Sequence, residues 1–114
     1  MKILHTADWH LGTFRSPVKD GVNLRTEDTK RCLDELIRVA NEEKPDYSIV
    51  SGDIFHVGRL WSDRCCEEII TAIHYIRELA AVSKQVVVMR GTPNHDGSGQ
   101  FNVLSEMFAD VPNV

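Results

Sequence analysis

Three short polar segments each follow an apolar stretch and carry side chains of the types that bind divalent metals. They are Asp8-Trp9-His10, Gly52-Asp53-Ile54-Phe55-His56 and Asn94-His95-Asp96. Taken singly, such residues usually cap a helix or lie solvated in a loop. Taken together on one edge of a fold, carboxylates, imidazoles and a carboxamide would repel one another or stay unpaired without a cation. Oxygen and imidazole ligands suit Mn, Fe, Zn or Mg better than thiolate-seeking metals, so the sequence predicts a metal centre.

The spacing within these segments indicates what the metal centre could do. Asp8 and His10 lie on the same side of an extended backbone, with room for one metal between them. Asp53 follows the flexible Gly52 and can use both carboxylate oxygens to bridge two ions. Two divalent ions about 3.5–4 Å apart polarise a phosphate, lower the pKa of a water molecule and stabilise the attacking and leaving oxygens. The chemistry predicted is phosphoester hydrolysis.

The elements that must position these segments alternate between strand and helix. Apolar runs over residues 2–6, 46–50 and 85–89 predict strands, and helices are predicted over residues 26–44 and 62–83. This alternation implies right-handed crossovers and a parallel sheet covered by helices, which is the α/β fold class. In such sheets ligands bind beyond the carboxyl ends of the strands, where the three polar segments lie.

The two long helices differ in their apolar faces. The first has a single apolar face and stops before Pro45; the face consists of Leu33, Leu36, Ile37 and Ala40. The second has Ser62 as its predicted N-cap and an apolar arc covering about half of its circumference. The arc consists of Cys65, Cys66, Ile69, Ile70, Ala72, Ile73, Ile76, Leu79 and Ala80. Two explanations are open. Helix 62–83 could form a homodimer interface, or it could be buried more deeply than usual in the core of the same chain.

Two further elements are predicted near the C-terminal end of the sequence. Residues 101–108 are expected to form a short helix, and residues 110–114 are expected to begin another strand.

Composition bounds the class of protein. The chain has 114 residues, 42% of them hydrophobic and 26% charged, which fits one globular domain and argues against disordered, fibrous and membrane classes. No apolar run approaches the roughly 18 residues of a membrane span, so we expect a cytoplasmic protein. The cysteines Cys32, Cys65 and Cys66 lack metal-type spacing and are interpreted as reduced packing residues.

The net charge of −4 offers no broad basic surface for nucleic acid, so a nucleic-acid substrate must be held locally. Arg15, Lys19 and Arg25 could contact phosphates, although three scattered cations are more often an ordinary solvated loop.

The three polar segments, in this order, resemble the calcineurin-like metallophosphoesterases, whose pattern is D-x-H, then G-D, then G-N-H-D/E. Within that family the chain is most similar to the SbcD-type DNA repair nuclease subunits. The resemblance rests on residues 4–12, on Gly52-Asp53-Ile54-Phe55-His56 and on Asn94-His95-Asp96 followed by a short apolar helix. It covers all 114 residues and implies the parallel-stranded βαβαβ half of a metallophosphoesterase sandwich.

The resemblance implies two divalent metal ions, Mn²⁺ first and Mg²⁺, Fe or Zn as alternatives. It assigns the first metal to Asp8 and His10, the bridging position to Asp53, and the second metal to the side-chain oxygen of Asn94.

The resemblance also implies a catalytic group. His95 would face the phosphate as a general acid or transition-state stabiliser, with Asp96 orienting its ring. His56 would contact the phosphate or would support the metal ligands without binding the metal itself. The alternative is that His56 is a capping or solvated loop histidine.

The chain departs from the family pattern at two points. Thr92-Pro93 separates Gly91 from Asn94, where the family has glycine directly followed by asparagine, and no histidine follows His95. Because the family supplies further histidine ligands, residues 1–114 are interpreted as the truncated N-terminal portion of the domain.

Three functional hypotheses follow. The first is a DNA nuclease module that acts with an SbcC-type, SMC-like ATPase. The second is a phosphoesterase acting on a small phosphoester or a phosphoprotein. The third is a non-catalytic fragment that folds but does not hold two metals.

Overall fold

The computed structural model describes residues 1–12, 16–58 and 63–114, and the side chains of residues 63–66 lie outside that description. Arg15, the predicted N-cap Ser62 and the side chains of Cys65 and Cys66 therefore fall outside the described structure. The elements in chain order are β1 (Ile3–Thr6), β2 (Val18–Lys19), β3 (Val22–Asn23), α1 (Leu24–Glu43), β4 (Tyr47–Val50), α2 (Asp63–Val82), β5 (Gln85–Val88) and α3 (Ser98–Met107).

The main sheet is parallel and has the order β1-β4-β5. Ile3 of β1 lies beside Tyr47 of β4, which lies beside Gln85 of β5. Because the strands start level and are equally long, their carboxyl ends form one edge of the sheet. The α/β class with a parallel sheet is confirmed, and each of the three polar segments follows a strand at this edge.

The helices cover one face of this sheet. Buried residues of α1 and α2 join Val50 and Val86 in one hydrophobic core. On the opposite face, Ile3 is 58% exposed and Val87 is 39% exposed. The prediction of a sheet covered by helices therefore holds on one face among the described residues. The other face presents apolar side chains to solvent, although parallel sheets are normally covered on both faces.

Helix α1 begins two residues before the predicted position because its N-cap is Asn23. The side-chain oxygen of Asn23 accepts hydrogen bonds from the backbone N–H groups of Arg25 and Thr26. Asn23 also ends a small hairpin, β2–β3, whose tight turn places Asp20 and Gly21 at positive φ. A two-residue Asp-Gly turn, here between Lys19 and Val22, is a hairpin signal that was not used in the sequence prediction.

Burial accounts for most of the wide apolar arc on α2. Five of its nine members are buried in the core of the chain itself: Ile69, Ala72, Ile73, Ile76 and Leu79. Ile70 is 65% exposed, so among the described members of the arc it is the one most open to a homodimer contact.

The strand predicted over residues 110–114 is wrong, because this segment forms turns. Pro112 has no N–H group to donate to a sheet. The side chain of Asn113 donates hydrogen bonds to the carbonyls of Ala80 and Ser83, which holds the segment against the end of α2. One strand-like contact remains, since the carbonyl of Asn113 accepts the N–H of Val86 in β5 at 2.7 Å.

Within the described ranges, no helix combines the length and the apolar character that crossing a membrane requires.

Candidate metal centre

Backbone hydrogen bonds join the loop after β1 to the loop after β4. The N–H of Asp8 donates to the carbonyl of Gly52 at 3.0 Å, and the N–H of His10 donates to the carbonyl of Asp53 at 3.0 Å. The pairing continues beyond the candidate ligands, where Leu11 forms a parallel bridge with Phe55. The first two polar segments are therefore fixed against each other by main-chain contacts, independently of any side chain.

The candidate ligands in these loops have unusual backbone angles. Asp8 has φ of 56°, His10 of 47° and Asp53 of 51°, all in the left-handed region that non-glycine residues seldom adopt. Such conformations persist where surrounding contacts enforce them, and they cluster at functional sites. Here the main-chain pairing of the two loops enforces them.

Asp8, His10 and Asp53 bring their donor atoms together. Nε2 of His10 lies 3.7 Å from an oxygen of Asp8 and 3.9 Å from an oxygen of Asp53. Both distances are too long for hydrogen bonds. Donor atoms of all three residues lie within 4.8 Å of one another, which is the separation expected of ligands around one cation. The structure thus brings together the three residues predicted as metal ligands from the first two segments.

A second donor group shares His10 with the first. It consists of His10, His56 and His95, whose nitrogen donors also lie within 4.8 Å of one another. The rings of His10 and His95 are 4.5 Å apart between centroids and meet edge to face. Burial lowers the pKa of His56, and the charges of His10, His95 and Arg25 lower it further. The lowered pKa favours the neutral imidazole of His56, which is the form that binds metals.

Thr92 holds the carboxylate of Asp53. Its N–H donates to Oδ1 of Asp53 at 2.9 Å, and its hydroxyl lies 3.2 Å from the same oxygen. The hydrogen bond from the Thr92 N–H lowers the pKa of the Asp53 carboxyl, against the opposing effect of burial. In the sequence Thr92 stood out only as a departure from the family pattern, yet it orients the central carboxylate and leaves Oδ2 facing His10.

The ring of His95 is oriented by a backbone carbonyl. Its Nδ1 lies 2.7 Å from the carbonyl oxygen of His56. Since a carbonyl can only accept, Nδ1 carries the proton, and Nε2 is the nitrogen left to face the cluster. The expectation that Asp96 orients this ring is wrong, because the carboxylate of Asp96 is engaged elsewhere.

Asp96 joins the loops after β4 and β5. Its side chain is fully buried at 0% exposure, and its carboxylate accepts the N–H of Phe55 at 3.0 Å and the N–H of Gly91 at 2.7 Å. Its own carbonyl accepts a hydrogen bond from Arg90. Asp96 is therefore a positioning residue that sets the distance between the Asp53 loop and the loop carrying His95.

Two glycines allow the loops to approach closely. A Cβ on Gly91 would lie 2.2 Å from the nitrogen and Oδ1 of Asp53, and a Cβ on Gly12 would lie 2.6 Å from the Cβ of His56. Any side chain at these positions would displace a member of the cluster. Gly12 and Gly91 were not singled out from the sequence, because their role depends on contacts between distant segments.

Asn94, the fourth predicted ligand, lies in the loop after β5. It lies in a turn closed by hydrogen bonds from the N–H groups of His95 and Asp96 to the carbonyl of Thr92. Its carbonyl accepts the N–H of Gly58, and its side chain is exposed. The place of Asn94 as a ligand of the second metal therefore stays a prediction.

Comparisons with known proteins agree with this geometry. The sequence profile of the family described as calcineurin-like phosphoesterase matches residues 1–113. Similar proteins include the D subunit of the nuclease SbcCD from Staphylococcus epidermidis, 30% identical over 108 residues that cover 95% of this chain and 26% of that protein. The corresponding SbcCD nuclease protein of Staphylococcus saprophyticus subsp. saprophyticus is 31% identical over the same coverage. The chain thus spans about a quarter of the length of these relatives.

Proposed function

The chain belongs to the calcineurin-like phosphoesterase family, and from this premise we propose that it forms part of a two-metal nuclease that hydrolyses DNA phosphodiesters. The observation that carries the proposal is the position of His10. It lies in one donor group with Asp8 and Asp53, the proposed ligands, and in another with His56 and His95, the residues proposed to face the phosphate, at the carboxyl ends of the parallel strands.

The donor set fits divalent metal ions. Asp8, His10 and Asp53 offer carboxylate and imidazole donors, and the lowered pKa of Asp53 keeps this carboxyl ionised at neutral pH. Mn²⁺, Mg²⁺, Fe and Zn all accept such ligands, and Mn²⁺ is our first choice. When bound, the ions supply charge for the phosphate and a water of lowered pKa. Asn94 is proposed as a ligand of the second ion through its side-chain oxygen.

The other roles in the reaction are assigned to residues of this chain. Asp53 holds the centre of the site, with its orientation fixed by Thr92. His95 presents Nε2, whose proton can be donated to a leaving or equatorial oxygen when the ring is charged. The carbonyl of His56 keeps that ring aligned, and the imidazole of His56 is proposed as a phosphate contact beside it. Asp96 acts through the loops and does not touch the phosphate.

The names of the relatives suggest the setting of this activity. Each is the D subunit of a nuclease called SbcCD. We propose that this chain likewise acts on DNA in the cytoplasm, in repair and recombination, together with an SbcC-type SMC-like ATPase. Since the chain spans 26% of these relatives, the complete activity is proposed for the product of the complete reading frame. Histidines encoded outside residues 1–114 would supply the remaining ligands.

The experiment that tests the proposal compares wild type with Asp53→Asn. The product of the complete reading frame is incubated with Mn²⁺ and single- or double-stranded DNA, alongside an aryl phosphodiester. We expect Asp53→Asn to lower cleavage by a factor of about 10² or more, because it removes the central charge at which transition-state stabilisation is concentrated. Asn can still accept the hydrogen bond from Thr92, so the loop should keep its shape, as circular dichroism would verify.

A control variant tests whether removing a carboxylate outside the site also lowers cleavage. Asp110 is exposed and lies outside both donor groups, so Asp110→Asn should leave cleavage unchanged. If Asp53→Asn cleaves DNA as fast as wild type, the two-metal assignment is wrong. If the aryl phosphodiester is cleaved and DNA is not, the result favours the small-phosphoester hypothesis. The net charge of −4 also favours that hypothesis. Cleavage of neither substrate, with weak Mn²⁺ binding by calorimetry, would favour the non-catalytic hypothesis.

A further inference from the structure

The loop after β1 alternates proposed metal ligands with buried side chains. The side chains of Asp8 and His10, two of the proposed ligands, are 69% and 30% exposed. Trp9 and Leu11, which follow each of them, are 6% and 5% exposed and belong to the hydrophobic core. Because Trp9 lies between the two ligands, the contacts that hold its side chain also affect where both ligands lie.

The main-chain hydrogen bonds of this segment leave it free to rotate. The N–H groups of Asp8 and His10 bond to the loop after β4, one on each side of Trp9. Two such bonds define an axis about which the residues between them could turn. Rotation about this axis would move the side chains of Asp8 and His10 together. A contact away from the axis prevents it, and the buried indole of Trp9 supplies such a contact.

The indole of Trp9 is held at two points. Its N–H donates to the hydroxyl of Thr6 at 2.8 Å, at the end of β1. Its ring meets the ring of Tyr75 edge to face, with the centroids 6.5 Å apart and an angle of 76° between the planes. Aromatic pairs prefer this geometry, because the positive edge of one ring meets the negative face of the other. The hydrogen bond joins Trp9 to its own strand, and the contact with Tyr75 joins it to the helices.

Tyr75 is anchored to both long helices. It belongs to α2 and is 5% exposed. Its hydroxyl donates to a carboxylate oxygen of Asp34 at 2.7 Å and lies 3.3 Å from the carbonyl oxygen of Lys30, both on α1. Burial raises the pKa of Tyr75, and the hydrogen bond to Asp34 raises it further, so the hydroxyl keeps the proton that it donates. The ring that contacts Trp9 is therefore fixed at both of its ends.

We propose that Tyr75 is a positioning residue for the candidate metal centre, acting through Trp9 to fix the rotation of the segment that carries Asp8 and His10. Its effect on metal binding rests on the proposed function, whereas its hold on the segment does not. A residue that only fills the core would affect the stability of the whole domain and no particular loop. Loss of the Tyr75 ring should instead act locally, on residues 8–11 and through them on the metal ions.

Amide hydrogen exchange tests the hold on the segment without any metal. Exchange of residues 8–11 is read by mass spectrometry in the metal-free product of the complete reading frame. Tyr75→Leu removes the aromatic ring and keeps an apolar side chain in the core. We expect exchange in this segment to become faster by about threefold or more, because the edge-to-face contact that restrains Trp9 is lost.

Two milder variants keep the ring and remove only its anchor on α1. Tyr75→Phe lacks the hydroxyl, and Asp34→Ala lacks the carboxylate that accepts its hydrogen bond. Both should show exchange of residues 8–11 between that of wild type and that of Tyr75→Leu. Since Asp34 is exposed, Asp34→Ala leaves the core intact and provides the test if Tyr75→Leu does not fold.

The matched control is Leu79→Ala, on the same helix. Leu79 is fully buried, one turn farther along α2. Because α2 ends at Val82 and β5 begins at Gln85, Leu79 lies toward the amino ends of the strands and away from the metal centre. Urea unfolding should show a clear loss of stability in this variant. Exchange of residues 8–11 should stay within about twofold of wild type, because loops exchange through local openings and not through global unfolding.

Calorimetry with Mn²⁺ measures the consequence for the metal centre. Tyr75→Leu should bind Mn²⁺ more weakly by about threefold or more, and Leu79→Ala should bind it like wild type. Three results would each overturn the positioning role: unchanged exchange in Tyr75→Leu and Asp34→Ala, equally fast exchange in Leu79→Ala, or an Mn²⁺ affinity that Tyr75→Leu does not alter. If wild type itself does not bind Mn²⁺, the proposed function is rejected, and hydrogen exchange still decides whether Tyr75 holds the segment.

Discussion

Replacing Asp96 with asparagine removes one of the two hydrogen bonds that its carboxylate accepts from the loops after β4 and β5. The asparagine oxygen can accept the N–H of either Phe55 or Gly91, and its NH₂ group then opposes the other N–H. A lost hydrogen bond to a charged group costs about 1.5–3 kcal/mol, and an unsatisfied buried N–H about 1–3 kcal/mol. Because these costs overlap, the total is smaller than their sum, and we expect about 2–4 kcal/mol, a large part of the 5–15 kcal/mol that stabilises a typical domain.

Urea unfolding followed by circular dichroism measures this loss, with the exposed Asp110→Asn as the control. Asp110→Asn should stay within about 0.5 kcal/mol of wild type, as surface changes usually do. Calorimetry should also show weaker Mn²⁺ binding by Asp96→Asn, since one of the hydrogen bonds that join the Asp53 loop to the loop after β5 is lost. If the two variants have the same urea midpoint, Asp96 does not hold the loops, and the reasoning from its hydrogen bonds is refuted.

Two further predictions use other contacts. Gly91→Ala places a Cβ 2.2 Å from Asp53, so calorimetry should show loss of Mn²⁺ binding. The control is Gly21→Ala, whose added Cβ meets nothing within 4 Å. This control should lower the free energy of unfolding by only about 1 kcal/mol, because of the positive φ at Gly21, and should leave Mn²⁺ binding intact. Hydrogen bonds from Lys84 and from the N–H of Lys2 lower the pKa of Asp46 to about 2, so its contribution to stability is full above about pH 3.9 and is lost as the pH falls through 2. Urea midpoints should therefore fall more steeply between pH 4 and 2 in wild type than in Asp46→Asn, and parallel curves would contradict this.

The parallel sheet and its helices could be predicted because their signals are local. The apolar face of α1 repeats at helical spacing, and each strand is a short apolar run that ends in a polar loop. Asp8, His10 and Asp53 could be located because the carboxyl ends of parallel strands meet at one edge. The helix limits were less certain, since the Asn23 cap belongs to a hairpin that the sequence interpretation overlooked.

The parts of the site that could not be predicted depend on contacts across the chain. Asp96 follows His95 directly, which suggested that it orients the ring, but its carboxylate reaches backbone groups of two other segments. Thr92 looked like an interruption before Asn94 and proved to hold Asp53. Sequence patterns indicate which residue types occur near a site, whereas hydrogen-bond partners depend on how loops from different strands come together.

At Asp8, His10 and Asp53, the residue type that best suits the left-handed backbone is glycine, which has no side chain to bind a metal. For most residues this conformation costs roughly 1–2 kcal/mol relative to a right-handed one; aspartate and histidine adopt it more readily than other side chains, and glycine adopts it freely. Glycine at any of these positions would relieve strain and remove a proposed ligand in the same step. Laboratory evolution that selects for heat resistance alone should therefore accept substitutions that remove the candidate metal centre, whereas selection for stability and cleavage together should keep it.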